Sequence, residues 1–285
     1  MEAPKVLFDT HLHLIYKDKL AYPWLDDYPV LNHDNTLDTY GKLASRLSIF
    51  GCFHMEVDVA EDQIDREVKV ISELERPHRQ LVRGVISSCR PEHESFAAHL
   101  ERAQDNSNVR GFRRVLHVVP DEVSTATVFR DNVKRLGATG LSFDLCVLPR
   151  QLHLARDLVD HCPDVPFVLD HCGVPNIASG ALEPWRSGLR EIAARPNVHA
   201  KISGIIAYGN ADTWTVDDLR PFFEETVEAF GVKRLVWGSD SPVCNLSGDL
   251  ATWVAATHAL THNWSIDERD ALFHQNALDL WQLSA

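Results

Sequence analysis

No stretch of this 285-residue sequence approaches the roughly 20 consecutive apolar residues that cross a bilayer. A helical membrane span is therefore not expected. The first ten residues, "MEAPKVLFDT", are acidic and hold too short an apolar run for a secretory leader. Positive charge is scarce: 28 Lys and Arg face 41 Asp and Glu, a formal charge of −13. A surface that acidic repels nucleic acid and anionic lipid on average, and no Lys/Arg run with interleaved aromatics offsets it locally. Close cysteine pairs are missing as well. Cys52, Cys89, Cys146, Cys162, Cys172 and Cys244 are scattered, which reads as reduced thiols of a cytosolic protein rather than a disulfide framework. The expected partner is a small molecule, and self-association into a homo-oligomer stays open.

What is present is a recurring alternation. Eight short apolar runs rich in β-branched residues span 5–14, 48–57, 81–88, 109–116, 140–147, 166–173, 197–204 and 233–240. Segments of helical periodicity separate them. One places Ile64, Val68, Ile71 and Leu74 on a single stripe, and another stacks Leu152, Leu154, Ala155, Leu158 and Val159, as amphipathic helices do. A third, over 215–231, ends at Gly231, a natural helix stop. Eight βα units imply parallel strands and a closed (β/α)8 barrel, an α/β fold of one domain over 1–285. The competing open doubly wound sheet usually carries a Gly-rich phosphate turn after its first strand, and none occurs here.

One connection breaks the spacing. Residues 15–40, following the first strand, form an aromatic, acidic, Pro-bearing stretch, expected to be a rim loop at the catalytic end of the barrel. Tyr22, Trp24 and Tyr28 in it could stack on a ligand or simply pack the loop down.

The chemistry gathers at strand ends. "FDTHLHL" carries Asp9, His11 and His13 at alternate positions, which on a strand share one face. The sixth strand ends in Asp170 and His171, and the eighth in Asp240. In a barrel all these ends meet at one mouth. Imidazole and carboxylate oxygen suit a divalent first-row metal such as zinc, and a carboxylate can take a proton from water with or without it. Asp170 should point away from the face of His171. His54 and Glu56, ending the second strand, either face the mouth or leave the core. His33, His78, His93, His99, His258, His262 and His274 fall on loops or helices, where solvated surface is the default.

These stretches, with "FVLDHCGVP" and "RLVWGSDSPV", resemble the amidohydrolase superfamily, and more narrowly its TIM-barrel branch of sugar lactonases and the dicarboxypyrone lactonase. "YPWL", "VRGFRRVL" and "HAKISG" are similar to the sugar-lactonase group that includes L-fucono- and L-rhamnono-lactonases. The resemblance implies metal ligation by His11, His13 and Asp240. It further implies Asp240 as general base and His171 as a catalytic assistant. Substrate contacts fall on Arg113, with Lys201 and Ser203 as further pocket residues; Trp24 and His54 complete the expected substrate contacts. Relatives often add a histidine at the end of strand 5, where this chain has Asp144 and Cys146. A divalent ion, zinc first, is therefore expected but could be dispensable. The implied activity is opening of an aldonolactone by water. The alternatives are a metal-dependent decarboxylase or hydratase of the same branch, and a non-catalytic barrel that binds a sugar acid.

Overall fold

The computed structural model describes residues 6–74 and 80–284. All eight expected strands are there, each trimmed to its hydrogen-bonded part. They are β1 (Leu7–Leu12), β2 (Ile49–Met55), β3 (Val82–Ser88) and β4 (Val109–Val115), then β5 (Ser142–Cys146), β6 (Phe167–Leu169), β7 (Val198–Ser203) and β8 (Leu235–Gly238). Each pairs in parallel with the next in sequence order. The ring closes where Leu12 bridges Ser241, the Asp240 N–H donates to the His11 carbonyl and the His13 N–H to the Ser241 carbonyl, both at 2.8 Å. The fold is thus the expected (β/α)8 barrel.

Helices follow each strand: α1 (Leu37–Arg46), α2 (Ile64–Ser72), α3 (Phe96–Gln104), α4 (Glu122–Thr125) with α5 (Thr127–Lys134), α6 (Leu152–His161), α7 (Trp185–Ala193) and α8 (Val216–Phe230). After β8 come α9 (Leu250–Leu260), α10 (Ile266–Asp270) and α11 (Asn276–Leu280). Local rules explain their bounds. Thr215 and Asp218 form a reciprocal capping box at the start of α8, satisfying free N–H groups of the first turn. Gly231 ends α8 at a φ of +71°, a conformation glycine adopts without strain. No helix among the described residues is long and apolar enough to cross a membrane.

Strand alternation sorts the core into two compartments. Phe8, Phe53, Met55, Ile86, Val168 and Val236 pack inside the barrel base, sealed by Ala277 and Leu278 of α11 and by Trp281 just past it. Outward residues such as Leu7, Cys52, Phe143, Ala200 and Trp237 join the larger core beneath the helices. The apolar base leaves the upper interior to polar residues from the strand ends and the residues that follow them.

The long connection after β1 runs to Thr36. Ile15 and Asn35 pair as an antiparallel bridge that ties its two ends together, and α1 begins at Leu37, capped by Thr36. Leu20, Tyr22, Leu25 and Leu31 are buried against Val57, Val59 and Ile64, so the loop is docked onto the start of the second βα unit.

Candidate active site at the barrel mouth

His11 and His13 reach the mouth by a route the alternation does not foresee. Asp9 lies opposite Cys52 and Leu12 opposite His54, so three residues of β1 advance against two of β2. Such a bulge re-aims side chains. Asp9 consequently faces outward, taking the Tyr40 hydroxyl of α1 at 2.7 Å, while His11 and His13 face inward. The expectation that all three share a face is corrected. Asp9 still supports the site, because its Oδ1 accepts the backbone N–H groups of His11 (3.0 Å) and Ser239 (2.7 Å). That carboxylate ties the ends of β1 and β8 together.

Asp240 arrives from the other side of the seam at a φ of +57°, sparsely used by residues other than glycine, though Asp tolerates it. Space for it comes from Gly204, where a Cβ would lie 2.4 Å from the Asp240 carboxylate oxygen. Gly238 similarly admits His11, whose Cβ would sit 2.8 Å from a side chain there.

The three donors converge. His11 Nε2 and His13 Nε2 are 3.1 Å apart, and Asp240 Oδ1 lies 3.6 Å and 3.4 Å from them. Ligands about 2.0–2.2 Å from a tetrahedral ion stand roughly 3.3–3.6 Å from one another, so this triangle fits one divalent ion. The surrounding charge fits as well. In the buried upper barrel four carboxylates, Glu56, Asp144, Asp170 and Asp240, meet two cations, Arg113 and Lys201. His13 Nδ1 donates to the Glu56 carbonyl at 2.9 Å, the outer hydrogen bond that orients a ligating imidazole.

Asp240 Oδ2 is buried and has no hydrogen-bond partner, with His171 Nδ1 as its nearest basic neighbour at 3.8 Å. Burial, opposed by His171 and Arg113 and reinforced by Asp170, pushes the Asp240 carboxyl up to about 6. Burial likewise holds His171 below the usual histidine range and drives His13 down to about 3. The histidines are thus neutral beside a carboxylate with a free oxygen.

His171 follows β6 in a stretch of left-handed backbone, with φ of +51° at His171, +55° at Cys172 and +53° at Val174. Three such non-glycine residues together are costly, and strain of this kind concentrates at functional sites. The turn also cancels strand alternation, so Asp170 and His171 both face the interior. This corrects the expectation that Asp170 points away. Its Oδ1 accepts from Lys201 Nζ at 2.8 Å and its Oδ2 from Arg113 Nη1 at 3.4 Å. Burial opposes ionisation there, but Lys201 and His11 hold the carboxyl well below the usual range. A second donor set, His11, Asp170 and His171, overlaps the first. With Asp170 engaged by two cations, the first set is the better fit.

The remaining expected contacts divide. Arg113 faces the mouth, its Nε donating to Glu56 Oε1 at 2.6 Å and its Nη2 to the Glu56 carbonyl at 3.0 Å. Ser203 Oγ is 2.9 Å from His171 Nδ1, which makes it a partner of the histidine. Lys201 is not a pocket residue: it is wholly buried beneath His11, gripped by Asp144 at 2.5 Å and by Asp170. His54 turns outward, since Phe53 takes the inward place. Its Nε2 meets Glu67 of α2 at 3.2 Å and its Nδ1 accepts the Leu14 N–H, so the expected substrate contact is lost. Trp24 is half-buried on the rim, its indole N–H fixed to the Val57 carbonyl at 2.8 Å. His78 lies outside the described residues.

Of the two places open to Glu56, the structure puts it at the mouth, and one further residue, His117, was not foreseen. Glu56 holds Arg113 because the chain leaves its strand at Met55 and turns the next side chain inward. His117 lies half-buried past β4, with its Nδ1 3.5 Å from Cys146 Sγ. Continuing the inward series Arg113, Val115 would have located it. No histidine ends β5; Asp144 sits deep with Lys201, and Cys146 takes the rim position.

The amidohydrolase family model matches residues 8–283. An L-fucono-1,5-lactonase of Burkholderia ambifaria is 33% identical over 61% of this chain and 61% of its own length. A 4-sulfomuconolactone hydrolase of Rhizobium radiobacter is 26% identical over 95% of this chain and 90% of its own. Among solved structures, an amidohydrolase of Burkholderia multivorans with bound Zn shares the fold. Its TM-score is 0.88 at 24% identity, covering 98% of this chain and 100% of that one.

Proposed function

The chain belongs to the amidohydrolase family, and from that premise we propose that it is a hydrolase opening a sugar lactone, an aldonolactone, to the aldonic acid. The observation that carries this reading is the orphaned, buried Oδ2 of Asp240 beside neutral His171 at the mouth. A buried carboxylate oxygen without a partner is costly and is suited to receive a proton from water. Support from outside the site comes from the two lactone-opening relatives.

In the proposed reaction, Asp240 Oδ2 removes a proton from a water that attacks the lactone carbonyl. The negative charge then grows on the carbonyl oxygen. Arg113 Nη1, 3.3 Å from His11 Nε2, lies where it can stabilise that charge, as preorganised donors do. Collapse breaks the bond to the ring oxygen, and the Asp240 carboxylic acid returns its proton to the leaving alkoxide. Ser203 and the left-handed turn hold His171 against the Asp240 carboxylate throughout. A divalent ion held by His11, His13 and Asp240 Oδ1 would supply Lewis-acid polarisation and a more acidic water.

A panel of aldonolactones with a pH indicator tests the activity. Saturable acid release from at least one sugar lactone, with muconolactones weaker, is the expected outcome. Tight binding without turnover would support a sugar-acid receptor, and no response from any lactone, with or without added zinc, would overturn the reading.

A further inference from the structure

We infer that Lys201 is a positioning residue that fixes the tautomer of His11, keeping its proton on Nε2 and thereby weakening metal capture by the His11–His13–Asp240 triad. The inference rests on reading those three residues as the donor set. It concerns a residue that neither touches substrate nor belongs to that set.

The geometry follows from hydrogen-bond accounting. An ammonium has three donors and no acceptor, and a buried one needs a partner for each. Lys201 is fully buried, and three acceptors surround its Nζ: Asp144 Oδ2 at 2.5 Å, Asp170 Oδ1 at 2.8 Å and His11 Nδ1 at 3.2 Å. With both carboxylates already engaged, the third N–H goes to His11 Nδ1, which must then carry a lone pair. A neutral imidazole with a bare Nδ1 has its proton on Nε2.

His11 Nε2 faces a ring that suits that proton. His13 Nδ1 is directed at two carbonyls, of Glu56 at 2.9 Å and Met55 at 3.2 Å. Carbonyls only accept, so His13 carries its proton on Nδ1 and leaves Nε2 bare. The His11 Nε2–H therefore donates to His13 Nε2 at 3.1 Å, the shortest contact either nitrogen of His11 makes. Opposing partners stand farther off. Asp170 Oδ1 is 3.4 Å from His11 Nδ1 and already accepts from Lys201, while Arg113 Nη1, 3.3 Å from His11 Nε2, has Asp170 Oδ2 as an alternative acceptor.

The two histidines are thus unequal. His13 presents a lone pair to the triad, and its outer hydrogen bond already has the form that metal ligation requires. His11 presents a proton. To ligate through Nε2 it must move that proton to Nδ1, where the ammonium of Lys201 already points a donor at it. Asp144 and Asp170 leave that ammonium nowhere to retreat.

The test is made without lactone, so it can fail while hydrolysis stands, and hydrolysis can fail while it stands. In metal-free wild-type protein, nitrogen-15 NMR of the histidine rings, with His11 assigned by its loss in His11→Gln, is expected to show the Nε2–H form. Zinc affinity is then measured by competition with a chromophoric chelator for the wild type and for the double variant Lys201→Met/Asp144→Asn, which removes one charge of each sign. The variant is expected to bind zinc at least tenfold more tightly, with its His11 shifted to the Nδ1–H form facing Asp170. An Nδ1–H tautomer in the wild type would overturn the inference, and so would equal or weaker zinc binding by a folded double variant. Should the variant not fold, the wild-type tautomer alone decides.

Discussion

Replacing Asp240 by Asn is expected to slow lactone opening by about 10²–10⁴-fold, the usual worth of a positioned general base, with the Michaelis constant little changed. The substitution is close to isosteric, and Asn tolerates the left-handed backbone that Asp240 occupies. Gly204 leaves the room that either side chain needs. The fold should survive, so the loss reports chemistry. The amide cannot accept the proton of water at Oδ2, nor return one to the departing alkoxide, and it weakens the donor triangle with His11 and His13. Steady-state kinetics on the best lactone of the panel, with far-ultraviolet circular dichroism as the folding control, makes the measurement. A rate within a few-fold of wild type would remove Asp240 from the chemistry.

Lys201→Met alone is expected to destabilise the protein by about 3–5 kcal/mol, the cost of removing one partner from a buried ion pair. Lys201 is fully buried between Asp144 and Asp170, so its loss strands carboxylates in a compartment that already holds more anions than cations. Asp144 Oδ1 has no hydrogen-bond partner even in the intact protein. Burial raises the Asp144 carboxyl and the Lys201 ammonium opposes that rise. Adding Asp144→Asn should recover most of the loss, because the surplus charge leaves with it and Asp170 keeps Arg113. Urea unfolding of the single and double variants reads both effects. Equal stability of wild type and Lys201→Met would show that the pair contributes little beyond its own desolvation.

The barrel itself was legible because eight β-branched runs alternate with amphipathic stripes, and a parallel ring is the arrangement that buries both. The meeting of His11, His13, His171 and Asp240 was legible for the same reason, since strand ends converge whatever the side chains are. The local turns were not. The bulge between Asp9 and Leu12 changes the facing of one residue without changing the hydrophobic pattern, so Asp9 read as a neighbour of His11 when it is an outward tether to Tyr40. The left-handed run from His171 to Val174 includes Cys172 and Val174, residues that rarely adopt that backbone, and the one glycine in "LDHCGVP" did not announce that Asp170 and His171 would face the same way. His54 was misplaced because Phe53 and Met55 take the inward places of β2, and only past the end of that strand does Glu56 turn inward. Lys201 has the alternation of a pocket residue, but its depth depends on strand stagger, which composition does not encode.

The proposed chemistry turns on whether water, and not Asp240 itself, attacks the lactone carbonyl. The most direct measurement is a single turnover in oxygen-18 water with enzyme in excess, followed by mass spectrometry of the product and of the peptide containing Asp240. Attack by water activated at Oδ2 predicts one heavy oxygen in the product carboxylate and none in Asp240. Heavy oxygen in the Asp240 carboxylate would mean an acyl-enzyme formed there, and would contradict the role as general base.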